Sequence, residues 1–427
     1  MKKQFVRAVV TACLLGSAAV IAPVASLSPA IAASGPSVTA PVGKILVDAQ
    51  KAYQANDFAG GLALTKQAQA LPDRSDFDNY TINKMLMIGS ARTNDLAGAY
   101  TAELAAAESP VLQDADKPDI YRLVAILANA QKHYDVAIKY ANLYQSIPNA
   151  PVEMTVLTAL AQSQYFTNDF AGAEVTSKKA IDATPANAAP DLGVMEILFS
   201  AQAKQNKTAD ATATLEKVVT YYDAPDDWAE LIGSSIGIKG IKDYEALDIF
   251  RLMIPTKAVG PADNYTTPAS VAMSTALPVE AEAFLKAGVD AGKLTNTGPT
   301  AALIAKAHAA AARDRATIGQ FDAEARKSPN GELDARLADT YFGYGRYDDA
   351  IAAAQRALKK GGPKVTPDQM NMIIAMSLTI QGKTADATAA FNTVSGSTAA
   401  LAKAKHLWLL YLNRKTTTAS AAPAPAH

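Results

Sequence analysis

Four histidines, His133, His308, His406 and His427, and one cysteine, Cys13, are the whole stock of imidazole and thiol in this 427-residue chain. Metal ligation and nucleophilic catalysis need such groups brought together at short spacing, and no H-E-x-x-H, no paired cysteine and no regular Asp/Asn calcium loop occurs. No metal or cofactor is therefore expected. His133 falls in a turn next to Tyr134, where a solvated or capping role is expected, and His308 and His406 read as ordinary helix residues. Phosphate-binding glycine patterns and a G-x-S-x-G elbow are also missing; Gly343-Tyr344-Gly345 reads as a helix-to-helix turn whose glycines allow a left-handed backbone. The run Asp223-Ala224-Pro225-Asp226-Asp227-Trp228, after Tyr221 and Tyr222, would suit paired carboxylates beside a sugar-stacking aromatic. The plainer reading, a loop and helix N-cap with its dipole-favoured aspartates, is preferred.

The elements that must carry these residues follow from composition. Hydrophobic residues make up 49% of the chain and charged residues 19%, with 40 Lys+Arg against 41 Asp+Glu, which excludes both a disordered chain and a polycation built for nucleic acid. Alanine is the commonest residue and favours helix, since it loses no side-chain entropy on entering one. Met1 to Arg7 is a short basic start, Ala8 to Ala25 an apolar run, and Ala30 and Ala32 occupy the −3 and −1 places of an A-x-A site. Residues 1–32 thus read as a secretory signal peptide, and the expected location is exported and periplasmic. Val10-Thr11-Ala12-Cys13 only loosely imitates a lipoprotein acylation box, so no stable membrane insertion is expected after cleavage.

Three strings recur: Asn56-Asp57-Phe58-Ala59-Gly60-Gly61, Asn94-Asp95-Leu96-Ala97-Gly98-Ala99 and Asn168-Asp169-Phe170-Ala171-Gly172-Ala173. Each reads as a turn followed by a helix start. The closing small residue marks a register through Gly61, Ala99, Ala137, Ala173, Ala211, Ala246, Ala281, Ala316, Ala350 and Ala387, at intervals of about 34–38 residues. The Ala316 unit lacks a clear turn, and the first helix of the Ala246 unit is irregular, with Trp228, Gly233 and Gly237. Small residues at spacings of four and three, as in Ala173, Ser177 and Ala180, lie on one helix face and let two helices approach closely. A single pair cannot bury its apolar face, so neighbours must stack.

In the unit around Ala350, Leu337, Ala338, Tyr341, Tyr347, Ala350, Ala354 and Ala357 stand in an order that resembles the tetratricopeptide repeat family; Ile374, Ala375, Leu378, Ala387, Phe391 and Val394 continue it. Ala354 replaces the family's second-helix aromatic, and Pro363 comes one place late. The stretch holding Phe342-Gly343-Tyr344-Gly345-Arg346-Tyr347, Gly382 to Phe391, Val394 to Gly396 and Leu407 to Leu412 is similar to exported TPR-like proteins of Gram-negative bacteria, which have no settled activity. The resemblance implies an all-α fold of tandem helix-turn-helix repeats forming an α-solenoid superhelix. It also implies a concave groove lined by first helices. On that register the groove positions are Arg122, Asn129, Gln162, Tyr165 and Phe166; Ile88, Met372 and Met376 are apolar groove places, suited to a hydrophobic partner or to tighter coiling.

The expected organisation is a flexible leader at 33–42, N-terminal repeats at 43–254, a bend at 255–268, C-terminal repeats at 269–397, a capping helix at 398–412 and a disordered tail at 413–427. The expected function is a non-catalytic protein–protein interaction scaffold that binds a protein or peptide segment of the cell envelope, and not nucleic acid. The alternative is an α/α-toroid carbohydrate-active enzyme, a closed ring with acidic groups at its centre.

Overall fold

The structure, a computed structural model, describes residues 37–420, with side chains through Arg414. The expected signal peptide and its cleavage site, the first part of the leader and the end of the tail lie outside the described residues. Every regular element among the described residues is helical, twenty α-helices and two 3₁₀ turns. In chain order they are α1 (Ala40–Gln54), α2 (Phe58–Gln69), α3 (Asp76–Arg92), α4 (Leu96–Ala107), α5 (Lys117–Ala130), α6 (Tyr134–Gln145), α7 (Met154–Phe166), α8 (Phe170–Asp182), α9 (Leu192–Lys204) and α10 (Thr208–Tyr222). There follow α11 (Pro225–Ser235), α12 (Asp243–Phe250), α13 (Asp263–Ser274), α14 (Pro278–Asp290), α15 (Gly298–Lys327), α16 (Glu332–Gly343), α17 (Tyr347–Lys360), α18 (Pro367–Ile380), α19 (Thr384–Thr393) and α20 (Ala399–Ser420). The fold is an α-solenoid of helix-turn-helix repeats.

The recurring Asn-Asp pair explains the hairpins. Asn56, Asn94 and Asn168 adopt left-handed backbone, with φ of 62°, 62° and 65°, a region that asparagine tolerates better than most residues. This conformation turns the next N–H back onto the ending helix: Asp57 donates to the Ala52 carbonyl at 2.9 Å, Asp95 to Ser90 and Asp169 to Gln164 at 2.8 Å. The same aspartates then cap the second helix, accepting from the N–H of Gly60, Gly98 and Gly172 at 2.8, 2.8 and 2.9 Å. A Cβ on Gly172 would collide with the Asp169 carboxyl, so the glycine keeps room for the cap. At the later turns Gly345 (φ 72°) and Gly382 (φ 75°) supply the left-handed residue. Gly343 acts through close approach instead, since it ends α16 and its missing side chain lets Glu280 of α14 come near.

The chain divides into two compact units, one through Ala211 and one from Thr212. In unit 1 the pairs α1–α2, α3–α4, α5–α6 and α7–α8 each stack on the next, and their cores are built from Leu46, Ile82, Val124, Tyr140, Leu157 and similar buried residues. The expected leader is shorter than residues 33–42. Helix α1 already starts at Ala40 with Pro41 in its first turn, Val42 is buried, and Thr39 is tied to Asp78 through its N–H (2.8 Å) and hydroxyl (2.9 Å).

In unit 2 the register mark Ala316 is exposed, because Gly298–Lys327 is one unbroken helix and no hairpin forms there. Met372 and Met376 are fully buried and so line no groove, whereas Ile88 in unit 1 is half-buried. The break expected at 255–268 lies inside unit 2, and its second half is helical, with Pro268 within α13. What binds the two sides of that segment together is α20, which runs past the expected end at residue 412 and packs on α12. The indole N–H of Trp408 donates to the Asp248 carbonyl at 2.8 Å, and the Thr398 hydroxyl donates to Glu245 at 2.6 Å. Lys403 and His406 bond Glu216 at 2.7 and 2.9 Å, while Tyr411 sits edge-on between Trp408 and Trp228. Arg414 pairs with Asp223, within the segment expected to be disordered. A helix expected to shield the last repeat therefore also fastens the unit's end to its beginning.

Candidate functional site

The five groove positions fall on α5 and α7 in unit 1, and the structure brings some of them together. The Asn129 side-chain amide donates to the Gln162 amide oxygen at 2.9 Å and accepts from the Ser163 hydroxyl at 3.0 Å. Asn129 is thus a bridge between first helices of adjacent hairpins, and Ser163, a partner the sequence did not single out, completes it. Tyr165 and Phe166 form an aromatic group with Phe170 and Tyr134: Phe166 stacks on Tyr134 with centroids 5.0 Å apart, and Tyr165 meets Phe170 edge-on at 5.5 Å. The same geometry occurs two hairpins earlier in the chain, where Arg92 covers Phe58 at 5.0 Å. In these two hairpins the residue two before the turn therefore covers the ring that opens the previous hairpin's second helix, which is a packing role. Phe166 nevertheless keeps 40% of its surface exposed. Arg122 lies seven residues before Asn129, two turns or about 10 Å along the same helix, and its guanidinium is 3.5 Å from Asp119.

Behind this face stands a group that sequence reading missed. Glu103 on α4 is 1% exposed, and its Oε2 has no hydrogen-bond partner. Burial pushes its carboxyl up to about 8, against the opposing fields of Lys84 and Arg122. Lys84 is engaged elsewhere, 2.7 Å from Asp116, which also accepts from the Tyr80 hydroxyl.

Unit 2 holds a denser cluster. Arg251 is 3% exposed and gives its guanidinium to three carboxylates: Nε and Nη2 fork onto Glu280 at 2.7 and 3.0 Å, Nη1 meets Asp248 at 2.7 Å, and Nη2 also reaches Asp339 at 3.1 Å. Its face lies over Phe342, 4.7 Å from the centroid. Gln369 donates to the other Asp339 oxygen at 3.2 Å. Three carboxylates on one cation leave an excess of negative charge in a dry place. Burial accordingly holds the Asp248 and Asp339 carboxyls above their usual range, with Arg251 opposing, and the second Asp248 oxygen has no partner. The cluster had a signal in the sequence, since Arg251 interrupts the apolar run Ile249-Phe250-Arg251-Leu252-Met253 and a buried charge must be paired. It borders a cavity of about 670 Å³, whose walls come from α12, α15, α16, α18 and the α13–α14 turn.

The remaining sequence candidates for chemistry are dispersed. His133 stacks on Tyr100 at 4.8 Å, His308 bonds Glu282 at 2.5 Å, His406 bonds Glu216, and His427 lies outside the described residues. Asp226 and Asp227 stand in the first turn of α11, where the dipole favours them, but no side chain caps this helix. Trp228 is fully buried, so it offers no sugar a stacking face. The return of α20 gives unit 2 the end-to-end contact of a closed ring, yet the acids in its interior are spent on Arg251. Among the described residues no cluster of ligating side chains could hold a metal ion, and no helix is long and apolar enough to cross a membrane.

Neither a protein-family model nor a curated protein matches the sequence. Among solved structures, the chain is similar to Naa15/Naa10 bound to HypK-THB, at 14% identity over 88% of this chain and 56% of that one, with a TM-score of 0.37. It thus spans little more than half the length of that protein. A tetratricopeptide repeat protein from Parabacteroides merdae is matched at 12% identity over 69% of this chain and 99% of that one, with a TM-score of 0.31. The APC/C hetero-tetramer Cut9–Hcn1 is matched at 11% identity over 89% of this chain and 80% of that one, with a TM-score of 0.27. TM-scores this low leave the architecture resting on the hairpins described above.

Proposed function

We propose that this chain is a non-catalytic interaction scaffold of the tetratricopeptide type, exported to the periplasm, whose α5–α7 face takes a protein or peptide segment of the cell envelope. The observation that carries the reading is Phe166: an aromatic side chain held by Tyr134 and Tyr165 but still 40% exposed, beside the Asn129–Gln162 bridge. A rigid ring next to fixed amides suits an extended segment, through flat contact and hydrogen bonding at little entropic cost. Stacked hairpins supply such a face without a reactive centre, and the scattered histidines, each already engaged with a ring or a carboxylate where described, fit that economy.

The test is crosslinked capture from the cell envelope, comparing the unaltered chain with Phe166→Ala and Arg122→Ala. Both positions can change without breaking the Asn129 bridge. Loss of one and the same partner in both variants supports the proposal; full recovery of every partner removes this face from consideration. A reporter fused after residue 40 and assayed by fractionation tests export, and a reporter retained in the cytoplasm refutes it.

A further inference from the structure

Helix α15 is thirty residues long, yet only Ala307, Ala311 and Ala325 of it are buried. The repeat period predicts a hairpin here, and the unbroken helix leaves no second helix to cover it. The uncovered stripe is Asp314, Thr317, Ile318, Phe321 and Glu324, residues three, four, seven and ten apart that share one helical face. It forms one wall of the 670 Å³ cavity, with acids about 15 Å apart along the axis and two half-buried apolar side chains between them. The Tyr344 hydroxyl donates to one Asp314 oxygen at 2.8 Å and so fixes the place of that carboxylate without neutralising it.

The charge of the cavity is lopsided. Asp314, Glu324 and Asp339 face it, against Arg336 and Arg251. Arg251 contributes little positive potential, because it is enclosed by Asp248, Glu280 and Asp339. Asp248 lies behind Arg251, outside the cavity lining, and one of its buried oxygens has no hydrogen-bond partner. The site therefore combines a slot along the unbroken α15, an apolar middle and an acid at each end, Asp314 and Glu324, that no cation pairs within the slot.

We propose that this cavity receives a short lysine- or arginine-bearing segment of a partner protein, with ammonium or guanidinium groups at Asp314 and Glu324 and an apolar residue over Ile318 and Phe321. The proposal rests on reading the chain as a scaffold but concerns a surface separate from the α5–α7 face. It names the partner's charge, which the scaffold reading leaves open.

The test is calorimetric titration of the purified full chain with a trilysine peptide and, separately, a triglutamate peptide, at low and at high salt. Trilysine is expected to bind and to weaken as salt screens the pairs; the Asp314→Asn/Glu324→Gln double variant is expected to bind it about tenfold more weakly. These two positions lie outside the Arg251 cluster, and unchanged tryptophan fluorescence verifies that the fold is kept. As a second variant, Thr317→Lys places a resident ammonium between the acids and should block binding. Absence of trilysine binding, equal binding by the double variant, or preference for triglutamate overturns the proposal. Because the probe binds directly, these outcomes are independent of whether Phe166→Ala loses its captured partner.

Discussion

Replacing Trp408 by Ala should unfasten unit 2 while leaving unit 1 intact. The indole is fully buried against Tyr411 and closes a 2.8 Å hydrogen bond to the Asp248 carbonyl, a contact spanning 160 residues of chain. Truncating a buried aromatic to alanine costs about 3–5 kcal/mol, the lost transfer energy plus the cavity left behind. Trp408→Phe keeps most of the volume but strands the Asp248 carbonyl, at a cost of about 1–3 kcal/mol. At about 2–4 °C per kcal/mol for a domain of this size, the alanine variant should melt roughly 6–20 °C lower. The assay is convenient because the chain has two tryptophans, Trp228 and Trp408, both in unit 2, so the fluorescence of Trp228 still reports on unit 2 in the variant. Hydrogen exchange read by mass spectrometry follows the two units separately. A loss below about 1 kcal/mol, or equally faster exchange in α1–α8, would refute the idea that α20 is the closure of unit 2.

Two further outcomes are expected. Glu103→Gln should raise the urea midpoint of unit 1 at pH 9 and change it little near pH 4. The folded carboxyl titrates at about 8 against an ordinary 4.5, so both states are protonated below 4.5, and the folded state loses stability as pH rises from there to about 8; a flat difference between the two proteins across that range would contradict this. Arg251→Met should destabilise unit 2 by about 3–5 kcal/mol, since it leaves three carboxylates without their cation, and Arg251→Lys should rescue little of it, because an ammonium cannot reproduce the fork onto Glu280; both are read from tryptophan-monitored denaturation.

Much of the architecture was legible in the sequence for a local reason. The Asn-Asp turn and the small residue after it are repeated within a few positions, and nine of the ten register marks are buried. Ala316 fails because Gly298–Lys327 runs through as one helix, with no residue just before Ala316 in the left-handed backbone that ends α1, α3, α5 and α7. Met372 and Met376 were misplaced because a groove assignment by register presumes regular coiling, while the packing around α18 encloses them. The Asn129–Gln162 bridge joined two residues chosen from the resemblance, but Ser163 has no pattern that marks it as their partner. The docking of α20 on α12 was out of reach. Contacts across 153 and 160 residues leave no period, and the residues that make them, Thr398 just before α20 and Trp408 within it, carry no pattern that sets them apart.

The placement of α20 also orders the birth of the protein. In unit 1 each hairpin leans on the one made just before it, so the growing chain can set them down one by one behind the ribosome. In unit 2 the surfaces around Glu216, Trp228 and Asp248 are made early and covered last, when Trp408 finally emerges. Until then that half of the molecule carries an uncovered seam, which has to be kept from other hydrophobic surfaces until Trp408 is clear of the ribosome.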